Sequence, residues 1–250
     1  MASIYLSPSV QEYNVYYDGS GSEEYYMNLI ADAMEPYLTA SGITFTRNSP
    51  DMTVNQVVAQ SNMGNYGLHL ALHSNASPES LSGRLTGSDV YYYTFSDVSK
   101  RAAIIFSNAL KDIYPDPNKV QIRPNSTFAE LRRTRSPAIL VELAYHDNPS
   151  DAEWIKNNIG QIARTLVIAT TEFLGIPFVE PEPIRTGVVR TQGGRLNVRQ
   201  LPSMSGTVIG QIPNGSSVLV LGKTGNWYIV SYNSLEGYSF ADYIYVDYNQ

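Results

Sequence analysis

Cysteine is absent from all 250 residues. That excludes disulfides, thiolate metal sites and a cysteine nucleophile, and it leaves any metal to imidazole, carboxylate and amide donors. It also suits a protein that works outside a cell. Histidine is scarce: His69, His73 and His146 are the three in the chain. No apolar run approaches the roughly eighteen residues that cross a bilayer, so no membrane span is expected. The opening MASIYLSPSV lacks a basic start and a long apolar stretch, so it is not read as a signal peptide. Basic charge is also short. Residues 1–180 hold 12 Lys and Arg against 19 Asp and Glu, and residues 181–250 hold 5 against 4. Neither part has the basic stripe that nucleic-acid binding needs, which argues against a DNA or RNA partner.

What is present reads as two textures joined by prolines. Up to about residue 175, short apolar runs alternate with segments of helical spacing. Ile4 to Leu6, Ile43 to Thr46, Leu68 to Leu72, Asp89 to Phe95 and Ala138 to Leu143 read as strands. Helices are expected after Ser20 or Ser22, over Val54 to Met63, over Ser99 to Tyr114, and as one long element from Asp151 to Leu174. In the first of these, Met27, Ile30, Ala31, Met34 and Leu38 recur at helical spacing. Pro36 is expected to loosen its end, and Gly42 to close it. Such alternation predicts an α/β fold, a mostly parallel twisted sheet flanked by helices. GIPFVEPEPIRTG follows with three prolines, a semi-extended linker over 176–186. From 187 to 250, short β-branched runs between Gly, Asn, Pro and Ser predict a small all-β barrel. The expected organisation is a catalytic domain over 1–175, the linker, and a barrel domain over 187–250.

Two strand ends carry chemistry. LHLALHSNAS delivers His73, and PAILVELAYHDNPSDAEW contains Glu142. Reactive groups of open α/β sheets gather at the carboxyl ends of strands. His69 and His73 are spaced HxxxH, but on a strand four residues span roughly 13 Å, so the two imidazoles cannot share one ion. His69 is therefore read as a hydrogen-bonded core or edge histidine. Glu142 is a carboxylate within an apolar run, where an unpaired charge costs several kcal/mol. It is either half of an ion pair, with Arg132, Arg133 or Arg135 as candidate partners, or a catalytic acid with a raised pKa.

Leu70-Ala71-Leu72-His73-Ser74-Asn75-Ala76 and Pro137-Ala138-Ile139-Leu140-Val141-Glu142 resemble motifs of the zinc-dependent N-acetylmuramoyl-L-alanine amidases of the AmiC-like, Amidase_3 group. Glu24, followed by Asn28, resembles that family's helical Glu ligand, and the likeness covers roughly residues 2–175. The resemblance implies Glu24 and His73 on Zn2+, with Glu142 as general acid/base. The implied substrate is peptidoglycan, cut at the amide between N-acetylmuramic acid and the stem peptide's L-Ala. Action at the cell wall or outside the cell follows, as an autolysin or as a phage endolysin released at lysis. The family's opening Asp-Pro-Gly-His is missing, and Val10 stands where its zinc-binding His is expected. Gln11 is the expected replacement. Glu12 or His146 are the other groups in reach, and a metal-poor site is the remaining alternative. A wall-binding protein with a catalytically degenerate amidase fold is the rival reading, and a related metallopeptidase a third.

The C-terminal part resembles a bacterial SH3-like (SH3b) module through LNVR (196–199), GQIPNG (210–215), GNWYIV (225–230) and GYSFADYI (237–244). The resemblance implies recognition of wall peptides, with Trp227, Tyr228 and Tyr238 as candidate contacts. At least one of Trp227 and Tyr228 is expected to fill the barrel instead, because neighbours on a strand point to opposite faces.

Overall fold

A computed structural model describes residues 2–246; Met1 and residues 247–250, the two ends of the domains expected from the sequence, lie outside the described residues. The chain forms two units, one of residues 3–35 and 45–174, the other including residues 36–44 and 175–246. The elements of the N-terminal part are β1 (Ala2–Pro8), α1 (Glu23–Ala40), β2 (Ile43–Arg47), α2 (Val54–Ser61), β3 (Leu68–Asn75), β4 (Ser88–Tyr93), α3 (Asp97–Lys111), β5 (Val120–Asn125), α4 (Ala129–Arg132), β6 (Ala138–Tyr145), α5 (Pro149–Asn157) and α6 (Ile159–Leu174). The six strands order β2-β1-β3-β6-β4-β5. β1 pairs parallel with β3, β3 with β6 and β4 with β5, while β4 runs antiparallel to β6. The expected α/β sheet is thus present, with an antiparallel junction between β4 and β6.

The strand alternation separates two faces. Leu68, Leu70 and Leu72 of β3 lie beside Ile139, Val141 and Leu143 of β6 on the apolar face, all without solvent exposure. His69, Ala71 and His73 lie beside Ala138, Leu140 and Glu142 on the other. On that second face, α4 packs against β6 and β4, and α2 packs against α4. α3 contacts β4, β5 and β6 and packs on α6.

Local chemistry sets the element ends. Ser22 Oγ accepts from the Tyr25 amide at 3.1 Å, leaving Glu23 and Glu24 in the first turn of α1, where the helix dipole favours them. α1 runs on through Pro36 to Ala40, and Gly42 turns the chain at φ +71°. Thr53 and Gln56 make a reciprocal capping box on α2. The long helix expected over Asp151 to Leu174 is two helices. Asn158 leaves helical geometry at φ −124°, and its side-chain amide donates to the Trp154 carbonyl at 2.7 Å, replacing the bond a continuous helix would supply.

The C-terminal unit carries β7 (Arg185–Val189), β8 (Leu196–Arg199), β9 (Val208–Ile212), β10 (Ser217–Thr224), β11 (Trp227–Tyr232), β12 (Leu235–Phe240) and β13 (Ile244–Val246), ordered β13-β7-β10-β11-β12-β8-β9. Its strand pairs are antiparallel, as expected of an SH3-like barrel. Asn233 and Ser234, both with positive φ, make the two-residue turn between β11 and β12. Val189, Val198, Ile212, Val230 and Tyr228 build one core. Trp227, Ile229, Tyr238 and Leu221 build another with Val179 and Ala40. Tyr228 and Tyr238 are therefore core residues and not exposed wall contacts. Tyr228 faces the barrel interior, and the Tyr238 hydroxyl donates to the Ser41 carbonyl at 3.2 Å.

Candidate active site

A cavity of about 490 Å³ opens on the second face of the N-terminal sheet, within the usual range for small-molecule sites. Its lining includes Gln11, His73, Glu130 and Glu142, with Val57 and Leu140 as apolar wall. β3 and β6 place His73 and Glu142 in direct register, side by side on one face. Among the described residues Glu142 has no ion-pair partner, and its buried Oε2 has no hydrogen-bond partner. None of Arg132, Arg133 and Arg135 pairs with Glu142 among the described residues; Arg133 donates to Asn55 and Arg135 to Asn62. Burial pushes the Glu142 carboxyl up to about 7, with Glu23 and Asp89 adding repulsion and His73 opposing it.

The glutamate at His73 is Glu23, not Glu24. Glu23 Oε1 lies 2.7 Å from His73 Nδ1, and Glu23 is fully buried. Glu24 is half-buried, and its carboxyl is raised by burial and by the charge of Glu12. One helical step of about 100° separates the two side chains. Glu23 continues the buried stripe of Met27, Ile30, Met34 and Leu38, whereas Glu24 shares its face with Asn28. Burial acts against charge on Glu23, but hydrogen bonds from His73, Asn14 and Ser9 more than offset it and lower its pKa.

Gln11 joins this pair. Its Nε2 lies 3.2 Å from Glu23 Oε1 and 3.3 Å from His73 Nδ1, and its Oε1 accepts from the Tyr13 hydroxyl at 3.0 Å. Rotating the amide by half a turn exchanges oxygen for nitrogen at the same place, and Tyr13 then accepts instead of donating. Three donor atoms thus stand with edges of 2.7, 3.2 and 3.3 Å. A tetrahedral cation with bonds near 2.0–2.1 Å needs edges of roughly 3.3 Å. Two edges match, and the third, between Glu23 and His73, is shorter, as befits a shared hydrogen. Among the described residues no cluster of three or more His, Cys, Asp or Glu stands ready for a metal, so an ion here depends on the Gln11 oxygen as third donor. Val10 lines the cavity but offers no donor.

Glu130 escaped the sequence reading. It sits in the four-residue α4, accepts from Ser7 Oγ at 2.6 Å and from His69 Nε2 at 2.8 Å, and lies 3.4 Å from His73 Nε2. The two histidines share this carboxylate. Burial opposes charge on His73, yet Glu130 and Glu23 together hold its pKa well above the usual imidazole range. Burial likewise opposes charge on Glu130, but both histidines hold it well below the usual carboxylate range. His69 is a fully buried, hydrogen-bonded core residue stacked on Tyr5 at 5.0 Å. His146 is buried elsewhere, with Nδ1 on Ser74 and its ring on Tyr16. It does not line the cavity.

Fold and site together define an α/β protein with a carboxylate–imidazole centre and a separate buried glutamate whose carboxyl is raised by burial. A sequence profile of the N-acetylmuramoyl-L-alanine amidases matches residues 14–171, and one of the bacterial SH3 domain matches residues 194–245. The chain belongs to the N-acetylmuramoyl-L-alanine amidase family. The matched span begins beyond Val10 and Gln11. No curated protein matches the chain. Among solved structures, the catalytic domain of the amidase CwlV from Bacillus (Paenibacillus) polymyxa var. colistinus is similar at 18% identity and TM-score 0.62, over 71% of this chain and all of that one. The CwlD amidase of Clostridioides difficile, solved with the GerS lipoprotein, is similar at 17% and 0.62, over 70% and 99%. The catalytic domain of the CD27L endolysin, which targets Clostridia difficile, is similar at 18% and 0.55, over 69% and 98%. At these identities the likeness concerns the fold.

Proposed function

We propose that the chain hydrolyses the amide between N-acetylmuramic acid and the L-alanine of the stem peptide, with Glu142 as general acid/base. The observation that carries the reading is the unpartnered Glu142 Oε2, beside His73 in the cavity of an amidase-family fold. Glu23, His73 and the Gln11 amide oxygen would hold Zn2+, an assignment supported by the compactness of the three donors. Zinc bound there would polarise the scissile carbonyl and make a water easier to deprotonate. Glu142 takes the proton of the attacking water, and its pKa near 7 lets it return that proton to the departing alanine nitrogen. The apolar walls Val57 and Leu140 keep bulk water from Glu142 and so sustain that pKa.

The test is product analysis on purified peptidoglycan with measured zinc content. Wild type is expected to release stem peptides with new L-alanine amino termini while glycan chains stay intact. A metal-free, inactive wild type that still sediments with walls would overturn the enzyme reading in favour of the binding protein with a degenerate amidase fold.

The second unit supports a wall-binding role around Trp227, one of the three expected contacts, and not around Tyr228 or Tyr238. Trp227, Phe240, Tyr243, Arg195 and Arg199 line a groove of about 630 Å³. Trp227 packs edge-on against Phe240 at 5.3 Å. Arg199 donates to the Gly206 carbonyl, whereas Arg195 makes no hydrogen bond or ion pair among the described residues. Replacing Arg195 and Tyr243 by alanine together is expected to weaken co-sedimentation with walls about tenfold, the loss of one or two charge-assisted contacts. Turnover of soluble muropeptides should be unchanged. Tyr238→Phe, which loses only its bond to Ser41, should leave wall affinity intact and lower stability by about 1 kcal/mol.

A further inference from the structure

We infer that Glu130 is a positioning residue that fixes the ring orientation and tautomer of His73 through Nε2, so that Nδ1 is the atom His73 presents to Glu23 and Gln11. This rests on the reading above only in assigning Nδ1 a metal to hold. The argument begins with how Glu130 itself is fixed. Its Oε2 accepts from Ser7 at 2.6 Å and from His69 at 2.8 Å. His69 is held in turn by Ser61 Oγ at 2.9 Å from Nδ1 and by the Tyr5 ring. With Oε2 engaged by two short bonds, Oε1 is the oxygen left for His73, and it faces Nε2 at 3.4 Å.

A carboxylate only accepts, so the His73 nitrogen facing it carries hydrogen. In a neutral imidazole the lone pair then resides on Nδ1, which points to Glu23 and Gln11. Partners of this kind behind a metal-ligating histidine fix its ring and strengthen it as a donor. The cost of burying Glu130 with His69 is not explained by packing alone, because apolar residues of similar size would fill the same space at no electrostatic cost. A role at His73 explains why the second carboxylate is there. It also explains why Ser7, Ser61 and Tyr5, none of which touches His73, converge on the same chain of contacts.

The experiment uses the full chain as wild type, Glu130→Gln, Ser7→Ala and His69→Gln. Zinc affinity is measured by competition with a chromophoric chelator, His73 side-chain 15N shifts with and without zinc, kcat and KM on soluble muropeptide, and thermal midpoints. Glu130→Gln is expected to weaken zinc binding about 10- to 100-fold. It should also shift the His73 ring nitrogens and lower kcat with KM little changed. Ser7→Ala, which frees one bond of Oε2 without altering charge, should give a smaller loss in the same direction. His69→Gln should behave like Ser7→Ala. Wild-type zinc affinity and unchanged His73 shifts in folded Glu130→Gln, with only the melting point lowered, would overturn the proposal. If Glu130→Gln fails to fold, the same comparison on Ser7→Ala decides. A wild type that binds zinc but releases no product would overturn the proposed function and leave the positioning role to the zinc and 15N data. In a wild type that takes up no zinc, the 15N pattern alone decides the positioning.

Discussion

Glu142→Gln is expected to lose hydrolysis by a factor of roughly 10² to 10⁴, the usual worth of a positioned acid/base. Substrate binding should be nearly unchanged. The same variant should be more stable than wild type at neutral pH when a chelator keeps metal away. The sign follows from the raised pKa. A carboxyl moved from 4.5 to about 7 on folding is protonated in both folded and unfolded chains below pH 4.5, so it costs nothing there. Between pH 4.5 and 7 the unfolded chain ionises first, and folding is penalised increasingly. Above 7 the penalty is constant, up to about 3 kcal/mol at 1.36 kcal/mol per pKa unit. Glutamine carries no such penalty, so the difference in unfolding free energy between the variant and wild type should grow from pH 4 to pH 8. Chemical denaturation at several pH values measures it. A flat difference would mean that Glu142 ionises normally, and the acid/base assignment would lose its physical basis.

Separating Glu23 from Glu24 has the second largest expected effect. Glu23→Gln removes the charged oxygen 2.7 Å from His73 while keeping its volume. Zinc affinity is expected to fall by more than about 100-fold, exceeding the effect of altering a partner behind a ligand. Activity on walls should disappear with it. Glu23→Ala should in addition destabilise the metal-free fold by about 3–5 kcal/mol, because a buried His73 charge loses its closest partner. Glu24→Ala should leave zinc affinity and rate near wild type, since the charge that acts on its carboxyl is that of Glu12 and not that of His73. Gln11→Ala belongs between these, losing zinc affinity without upsetting the fold. Zinc titration followed by hydrolysis assays ranks the four variants, and full loss in Glu24→Ala with retention in Glu23→Gln would refute the arrangement.

His73 and Glu142 were legible because each is a residue able to do chemistry set in an apolar run, although β3 and β6 continue past them to Asn75 and Tyr145 and neither ends its strand. The architecture was legible through the change from helical to alternating periodicity near the prolines. The Glu23–Glu24 choice was within reach of the sequence as well. Carrying the stripe of Met27, Ile30, Met34 and Leu38 back by four positions lands on Glu23, but resemblance to the family's ligand drew attention one residue on. β5 was hidden by Pro124 and by its alternation of exposed polar residues. Glu130 was hidden by its setting, since FAELRRT reads as a charged loop and four residues carry no helical period. Nothing in a one-dimensional pattern announces that Ser7, His69 and Glu130 meet, since that meeting depends on β1, β3 and α4 coming together across 123 residues of chain. Trp227 and Tyr238 looked exposed for a related reason. The residues that cover them, Ala40 and Val179, come from parts of the chain that local sequence does not connect to the barrel.

The brevity of α4 has a consequence for how the cavity comes into being. Four residues cannot hold a helix in water, because nucleation alone outweighs the bonds they form. What secures this turn is the Glu130 carboxylate on β1 and β3, together with Leu131 in the small apolar cluster beneath it. The wall and the imidazole it faces therefore order in a single cooperative event. Amide exchange in Ala129–Arg132 should slow only when the histidines are seated, making this one turn a built-in reporter of whether the centre has assembled.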